Sequence, residues 1–286
     1  MEISDEKKGI ISIFISTLGF SVIPIFAKLG IDEGYSSSLL LFYRFLFATF
    51  IFYFYLKLKK HVFFSEKNIK YKIYIGGFIY SLQCLCYFTA FKYISTSLGA
   101  IIYNTYPVFT VIFSYIFLKT KITIRMIIGI ILAIIGSIFV VYSPMTENKI
   151  IGIILIILTT IFSGIYMVYS KKNFETINSI ELTTYISFTC SIVFLIITLF
   201  TKNFIFINST SILFYILCLS IFSTVIGLFG FMKAISLLDV GLVSVINLIE
   251  PFFTIIFSYI LFKDSLTFLQ IIGGFIIIVG VYFYEK

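Results

Sequence analysis

Long apolar runs separated by brief polar breaks fill this chain from end to end. They fall at about 10–29, 37–57, 72–92, 96–118, 124–142, 150–171, 180–200, 210–233, 241–262 and 267–284. Each is close to the roughly 20 helical residues that cross a bilayer core. The runs are continuous, as in Ile127 to Val141 or Ile271 to Val281. A transmembrane β-barrel would instead alternate apolar and polar residues over short segments. Backbone groups in lipid must be satisfied within the protein, so helices are the expected solution. The pattern therefore predicts an all-α polytopic membrane protein of ten transmembrane helices. The connections are short, the longest running from Lys57 to Lys72.

Composition sharpens this. Of 286 residues, 60% are hydrophobic and 12% charged, against roughly 25% charged in soluble domains. That leaves too little polar surface to cover a water-soluble globule, and no room for a soluble domain. The polar start, Met1 to Lys8, precedes an apolar run without a small-residue cleavage site before Lys28. A retained first helix is expected rather than a removed signal peptide. Cys84, Cys86, Cys190 and Cys218 all lie within apolar runs and read as small hydrophobes. The one histidine, His61, sits in a basic loop. Neither a metal site nor a bound cofactor is expected.

Basic residues give the orientation. With the N-terminus inside, fifteen lysines and arginines fall on the cytoplasmic side, six of them between Lys57 and Lys72. The opposite side holds Lys92, Lys149, Lys202 and Lys263. Both termini are thus expected in the cytoplasm, in the cytoplasmic membrane. The net charge of +8 then follows from topology and anionic lipid, and nucleic acid is not implied as a partner.

The chain also repeats itself at a constant offset of 144 residues. Pro107 meets Pro251, Phe109 meets Phe253 and Thr110 meets Thr254. Ile112 to Ile116 meets Ile256 to Ile260, residue for residue. Lys119 meets Lys263, Thr123 meets Thr267, and Gly129 and Gly136 meet Gly273 and Gly280. Apolar composition alone does not readily place Pro, Thr, Ser, Lys and two Gly in register. Two halves, 1–143 and 144–286, are expected. Five spans per half is an odd number, so the second half enters the membrane from the opposite side. Inverted repeats of this kind carry substrate near the midplane between them in many secondary transporters.

Three stretches carry a resemblance to a known family. They are Leu18 to Leu29 followed by Tyr43-Arg44-Phe45-Leu46-Phe47-Ala48; Ala90-Phe91-Lys92-Tyr93 through Tyr106-Pro107 to Lys119; and Ala234 to Asp264, with Asn247-Leu248-Ile249-Glu250-Pro251. The pattern resembles the EamA-type branch of the drug/metabolite transporter superfamily over essentially the whole chain. The first half departs from it with Tyr106 where the second half has Glu250. The resemblance implies ten helices, a central cavity, alternating access, and a substrate among amino acids, nucleotide derivatives, vitamins and other metabolites.

Ionisable groups at membrane depth are costly and are read first as functional. Glu250 lies near the middle of its span, directly before Pro251. Burial favours the neutral acid, so Glu250 is a candidate to take up and release a proton. The plainer reading is a structural acid bonded to a kinked backbone. Arg44, several residues into the second span, either caps neighbouring groups or holds an anionic substrate. Lys28, Lys92 and Lys233 sit near span ends and read as snorkelling or interface residues. Deep polar residues are candidates to line a cavity: Gln83, Tyr87, Tyr103, Asn104, Ser163, Tyr166, Thr224 and Asn247. Each alone is also a common interhelical hydrogen-bond partner. Tyr103 and Asn247 are equivalent at the 144 offset, which favours a shared site. Pro24, Pro107 and Pro251 mark expected kinks or hinges. Gly129, Gly136, Gly273, Gly274 and Gly280 would allow close helix contact, within one chain or in a homodimer.

A secondary transporter of a small metabolite is the leading function. There is no phosphate-binding Gly-x-x-x-x-Gly-Lys-Ser/Thr loop for direct ATP coupling. An intramembrane enzyme would need convergent His, acidic or metal groups, which the chain does not offer. A channel or a lipid flippase is the alternative. Membrane lipids and the substrate are the expected partners, with the chain as a monomer or a homodimer.

Overall fold

The computed structural model describes residues 4–60, 67–94, 99, 102–141, 150–262 and 268–285. His61, Lys149, Lys263 and Thr267 lie outside the described residues. Among the described residues there is no strand. The helices are α1 (Asp5–Phe20), α2 (Ile23–Asp32), α3 (Ser37–Leu58), α4 (Lys67–Ala90), α5 (Tyr106–Leu118) and α6 (Ile124–Val141). They continue as α7 (Ile150–Phe174), α8 (Ser179–Phe200), α9 (Thr210–Leu237), α10 (Val240–Asn247), α11 (Glu250–Phe262) and α12 (Phe268–Glu285). Seven helical segments among the described residues are long and apolar enough to cross a bilayer, and Tyr106–Leu118, Ile124–Phe139 and Ile271–Tyr284 are shorter apolar helices. Rings and aliphatic side chains such as Phe54, Phe78, Ile131, Phe214 and Phe275 point outward. In water they would form an extensive apolar patch, so this is a multi-pass membrane protein.

The prolines do more than kink. Ser21 and Val22 break the first run into α1 and α2, and Pro24 occupies the first turn of α2. Asn104 and Thr105 form a turn ahead of α5, whose first turn holds Pro107. Leu248 and Ile249 separate α10 from α11, and Pro251 is the second residue of α11. Proline has no N–H and clashes with the preceding turn, yet it suits the first turn of a helix, where the N–H is an orphan in any case. Where the sequence suggests bent helices, the chain instead stops and restarts.

The expectation of one regular helix over 210–233 also needs correction. The middle of α9, Leu219–Leu228, is π-helical. Ser220 donates to the Ile216 carbonyl at 2.7 Å, and Ser223 donates to that of Leu219. Such back-bonding by hydroxyls loosens the regular ladder. The first helix packs directly on this segment. Ser16 Oγ donates to the Gly227 carbonyl at 2.7 Å, and a Cβ on Gly19 would run into the Phe222 carbonyl and stand 2.9 Å from Gly227 Cα.

Helix pairing follows the repeat. Under the offset, α3 exchanges with α8 and α6 with α12, and each of these pairs packs together. The α1–α9 contact maps onto α7–α4, and α5–α7 maps onto α11–α1; all four contacts are present. The glycine stripe serves the α6–α12 crossing. A Cβ on Gly136 would stand 2.6 Å from the Gly273 carbonyl oxygen, and one on Gly280 2.7 Å from that of Gly129. Two backbones meet there with no side chain between them.

Candidate functional site

The helix breaks converge on one central cavity. Ile23, Tyr106 and Glu250 are the first residues of α2, α5 and α11, and all three line it. Phe20 at the end of α1 and Asn247 at the end of α10 line it too. A helix N-terminus presents unpaired N–H groups and a partial positive charge. Three such ends add positive potential to the cavity, which the carbonyl ends of α1 and α10 at the same wall partly offset. Its volume is about 60 Å³, below the range of an open small-molecule pocket, roughly 300–1,000 Å³. At about 1.5 Å per residue, the ten steps from Val240 to Glu250 span roughly 15 Å, which is half of a bilayer core.

Aromatic rings form much of the wall. Tyr103 stacks on Tyr106 with centroids 5.1 Å apart and lies 5.1 Å from Tyr87. Opposite, Tyr80 stacks on Tyr166 at 4.8 Å. The Tyr106 hydroxyl donates 2.8 Å to the Ser244 carbonyl and so ties the first half to the second. Tyr106 and Glu250, equivalent at the 144 offset, therefore face one cavity with different chemistry.

Two charges reach the same space. Glu250 Oε2 accepts from Asn247 Nδ2 at 3.2 Å. Asn247 Oδ1 lies 3.0 Å from the Thr17 hydroxyl, so the asparagine bridges α1 and the carboxyl group. Arg44 is 1% exposed, with Nε donating to Thr224 Oγ1 at 2.9 Å. Its guanidinium carbon sits 4.8 Å from the Phe45 ring centroid. Its Nη2 is buried without a hydrogen-bond partner. The ion pairs Lys8–Asp5 and Lys171–Glu175 lie outside the cavity, and Arg44 and Glu250 do not approach each other closely enough to form one.

Of the candidates drawn from the sequence, Gln83, Tyr87, Tyr103, Ser163, Tyr166, Asn247, Glu250 and Arg44 line this cavity. Asn104 does not; it is buried in the turn before α5, with its Nδ2 unpartnered. Thr224 stands behind Arg44 rather than on the wall. Lys28 and Lys92 are exposed and Lys233 is half-buried near the end of α9. Cys84, read from the sequence as packing, also contributes to the wall, together with Tyr80, Phe88, Met167 and Phe231. Apolar residues in an apolar run carry no mark of facing a cavity rather than lipid, so only the packing singles them out.

The family model described as the EamA-like transporter family matches this chain twice, over residues 7–142 and 150–284. The uncharacterized transporter YyaM of Bacillus subtilis is 26% identical over 202 residues, covering 68% of this chain and 66% of the relative. An uncharacterized transporter of Archaeoglobus fulgidus is 27% identical over 193 residues, covering 66% of this chain and 68% of that protein. The chain thus matches about two thirds of the length of these curated relatives. A solved crystal structure has the same fold, with a TM-score of 0.82 at 12% identity and 96% of both chains covered. A twofold match spanning nearly the whole sequence makes this chain a member of the EamA-like transporter family, and points to a transporter rather than an enzyme.

Proposed function

We propose that this protein is a secondary active carrier that moves a small metabolite across the cytoplasmic membrane by alternating access. Ten spans form two inverted five-helix repeats, and both termini face the cytoplasm. The observation that supports this reading is the cavity itself. It lies where three half-helices begin, with a carboxyl and a guanidinium group at membrane depth, and irregular backbone at that depth is tolerated only where it lines a cavity or is buried in protein. Glu250 is the coupling group. It binds a proton when the cavity faces the acidic side and yields it when the cavity faces the other. Pro24, Pro107 and Pro251, each just after a chain break, mark the points about which half-helices rock.

The test is flux in liposomes containing purified protein, with metabolite panels and with or without a pH gradient. Saturable flux driven by the gradient is expected, and Glu250→Gln should keep exchange while losing the response to pH. Flux that rises linearly with concentration would indicate a channel instead. Cysteines placed one at a time at Lys119 and Lys263 should label from opposite sides of the membrane. Labelling from the same side would make the repeat parallel and end the inverted-repeat reading.

A further inference from the structure

A second cavity, of about 370 Å³, is a groove between α1 and α9 that shares no lining residue with the central one. The two helices run antiparallel there. Ser16 meets Gly227, and one turn nearer the N-terminus the Ser12 carbonyl oxygen stands 2.8 Å from where a Cβ on Gly230 would be. Ser12 and Gly230 are buried and form the floor of the groove. Ile11 and Ile15 make one side and are half exposed, while Val225, Ile226 and Phe229 make the other. Only two residues on its wall are charged, Lys8 and Lys233. Lys8 lies in the first turn of α1 and Lys233 close to the last turn of α9, so antiparallel packing brings both to one end of the groove. Lys8 pairs with the exposed Asp5 at 2.9 Å, a kind of surface contact that holds a lysine only weakly. Lys233 has no acid partner among the described residues.

We propose that this groove binds an anionic phospholipid from the leaflet on the N-terminal side, with its phosphate between Lys8 and Lys233 and an acyl chain between α1 and α9. The division of the wall carries the assignment. Charge is confined to one end and the rest is apolar, which matches a molecule with an anionic head and a hydrocarbon tail. Lysine stems lie along apolar surface and carry their ammonium groups to headgroup level, where basic residues attract anionic lipid. A zwitterionic head would bring its own cation up to the two lysines, so a head with net negative charge is preferred. From Lys8 to Ile15 the groove follows α1 for roughly 11 Å, at about 1.5 Å per residue. Val225 and Ile226 belong to the π-helical stretch, so the tail lies against the segment that presents Thr224 to Arg44. The site stands whether or not the central cavity belongs to a carrier.

The test is photo-cross-linking of purified full-length protein in liposomes of phosphatidylcholine and phosphatidylglycerol, four to one. A tracer of either lipid carries a diazirine on one acyl chain, and mass spectrometry identifies the marked peptides. Phosphatidylglycerol tracer should mark residues 11–15 and 225–229 at least five-fold more than phosphatidylcholine tracer. Lys8→Gln combined with Lys233→Gln should abolish that preference, and the corresponding pair of arginine substitutions should keep it. Lys172→Gln, which removes an exposed lysine from α7, should leave it unchanged. Ile15→Trp fills the groove while sparing both lysines, and should lower marking of 225–229 by either tracer at least five-fold. If the double glutamine variant does not fold, Lys233→Gln alone should still reduce the preference at least two-fold. The proposal is overturned if both tracers mark the groove equally, if the glutamine variants keep the preference, or if Lys172→Gln abolishes it as well. It is also overturned if neither tracer marks the groove, the result expected where two copies of the chain meet there.

Discussion

Arg44 Nε donates a 2.9 Å hydrogen bond to Thr224 Oγ1, joining α3 of the first half to the π-helical middle of α9 in the second. A π-helix hydrogen-bonds at i→i+5 and often occurs at functional sites. A change back to regular helix would rotate later residues about the axis and carry Thr224 off Arg44. The bond therefore couples the local winding of one helix to the setting of a buried charge.

Thr224→Val matches the side chain in shape and removes the acceptor. Loss of a hydrogen bond to a charged group costs about 1.5–3 kcal/mol. Thermal unfolding in detergent should show a clear drop, and Thr224→Ser should restore most of it. Equal stability of the valine variant would mean that Arg44 is held by something else.

Asn247 connects Thr17 to Glu250. Asn247→Ala strips the carboxyl group of its amide donor, and a loss of roughly 1–3 kcal/mol is expected. In a double-mutant cycle with Glu250→Gln, the two changes should be non-additive by about 0.5–3 kcal/mol. Simple additivity would show that the contact carries no energy.

Tyr106→Phe deletes the hydroxyl that reaches the Ser244 carbonyl but keeps the ring stacked on Tyr103. Interhelical hydrogen bonds in membranes average about 0.6 kcal/mol, with a maximum of about 1.7. A small drop in melting temperature is expected. A loss well beyond that range would mean that the hydroxyl supports more than one contact.

Gly136→Val should be far more damaging. Its Cβ would lie 2.6 Å from the Gly273 carbonyl oxygen, so α6 and α12 would have to separate. Overpacking of this kind costs about 1–3 kcal/mol, occasionally more. Melting in detergent checks it. Gly34→Ala is a useful contrast, because no atom stands near its Cβ and only the positive φ of 90° resists. It should cost about 1–2 kcal/mol from backbone strain alone. Equal losses for the two variants would argue against a crowded α6–α12 crossing.

Much of this molecule was legible in one dimension. Continuous apolar runs meant helices in lipid, because lipid offers no partner for a free backbone group. The in-register Pro, Lys and Gly exposed a duplication, and polarity in deep positions singled out Gln83, Tyr87, Tyr103, Ser163, Tyr166, Asn247, Glu250 and Arg44, which now share one cavity. Such residues stand out because a polar group in an apolar run needs a reason to be there. Tertiary packing alone decided the rest. It stopped helices where the prolines suggested bends, wound Leu219–Leu228 as a π-helix, turned Asn104 away from the wall, and brought Cys84, Phe88 and Phe231 onto it. It also put Arg44 and Glu250 on one cavity wall without an ion pair between them. Hydropathy records how much a residue dislikes water, whereas these outcomes depend on which neighbours arrive and at what distance, and residues far apart in sequence set both.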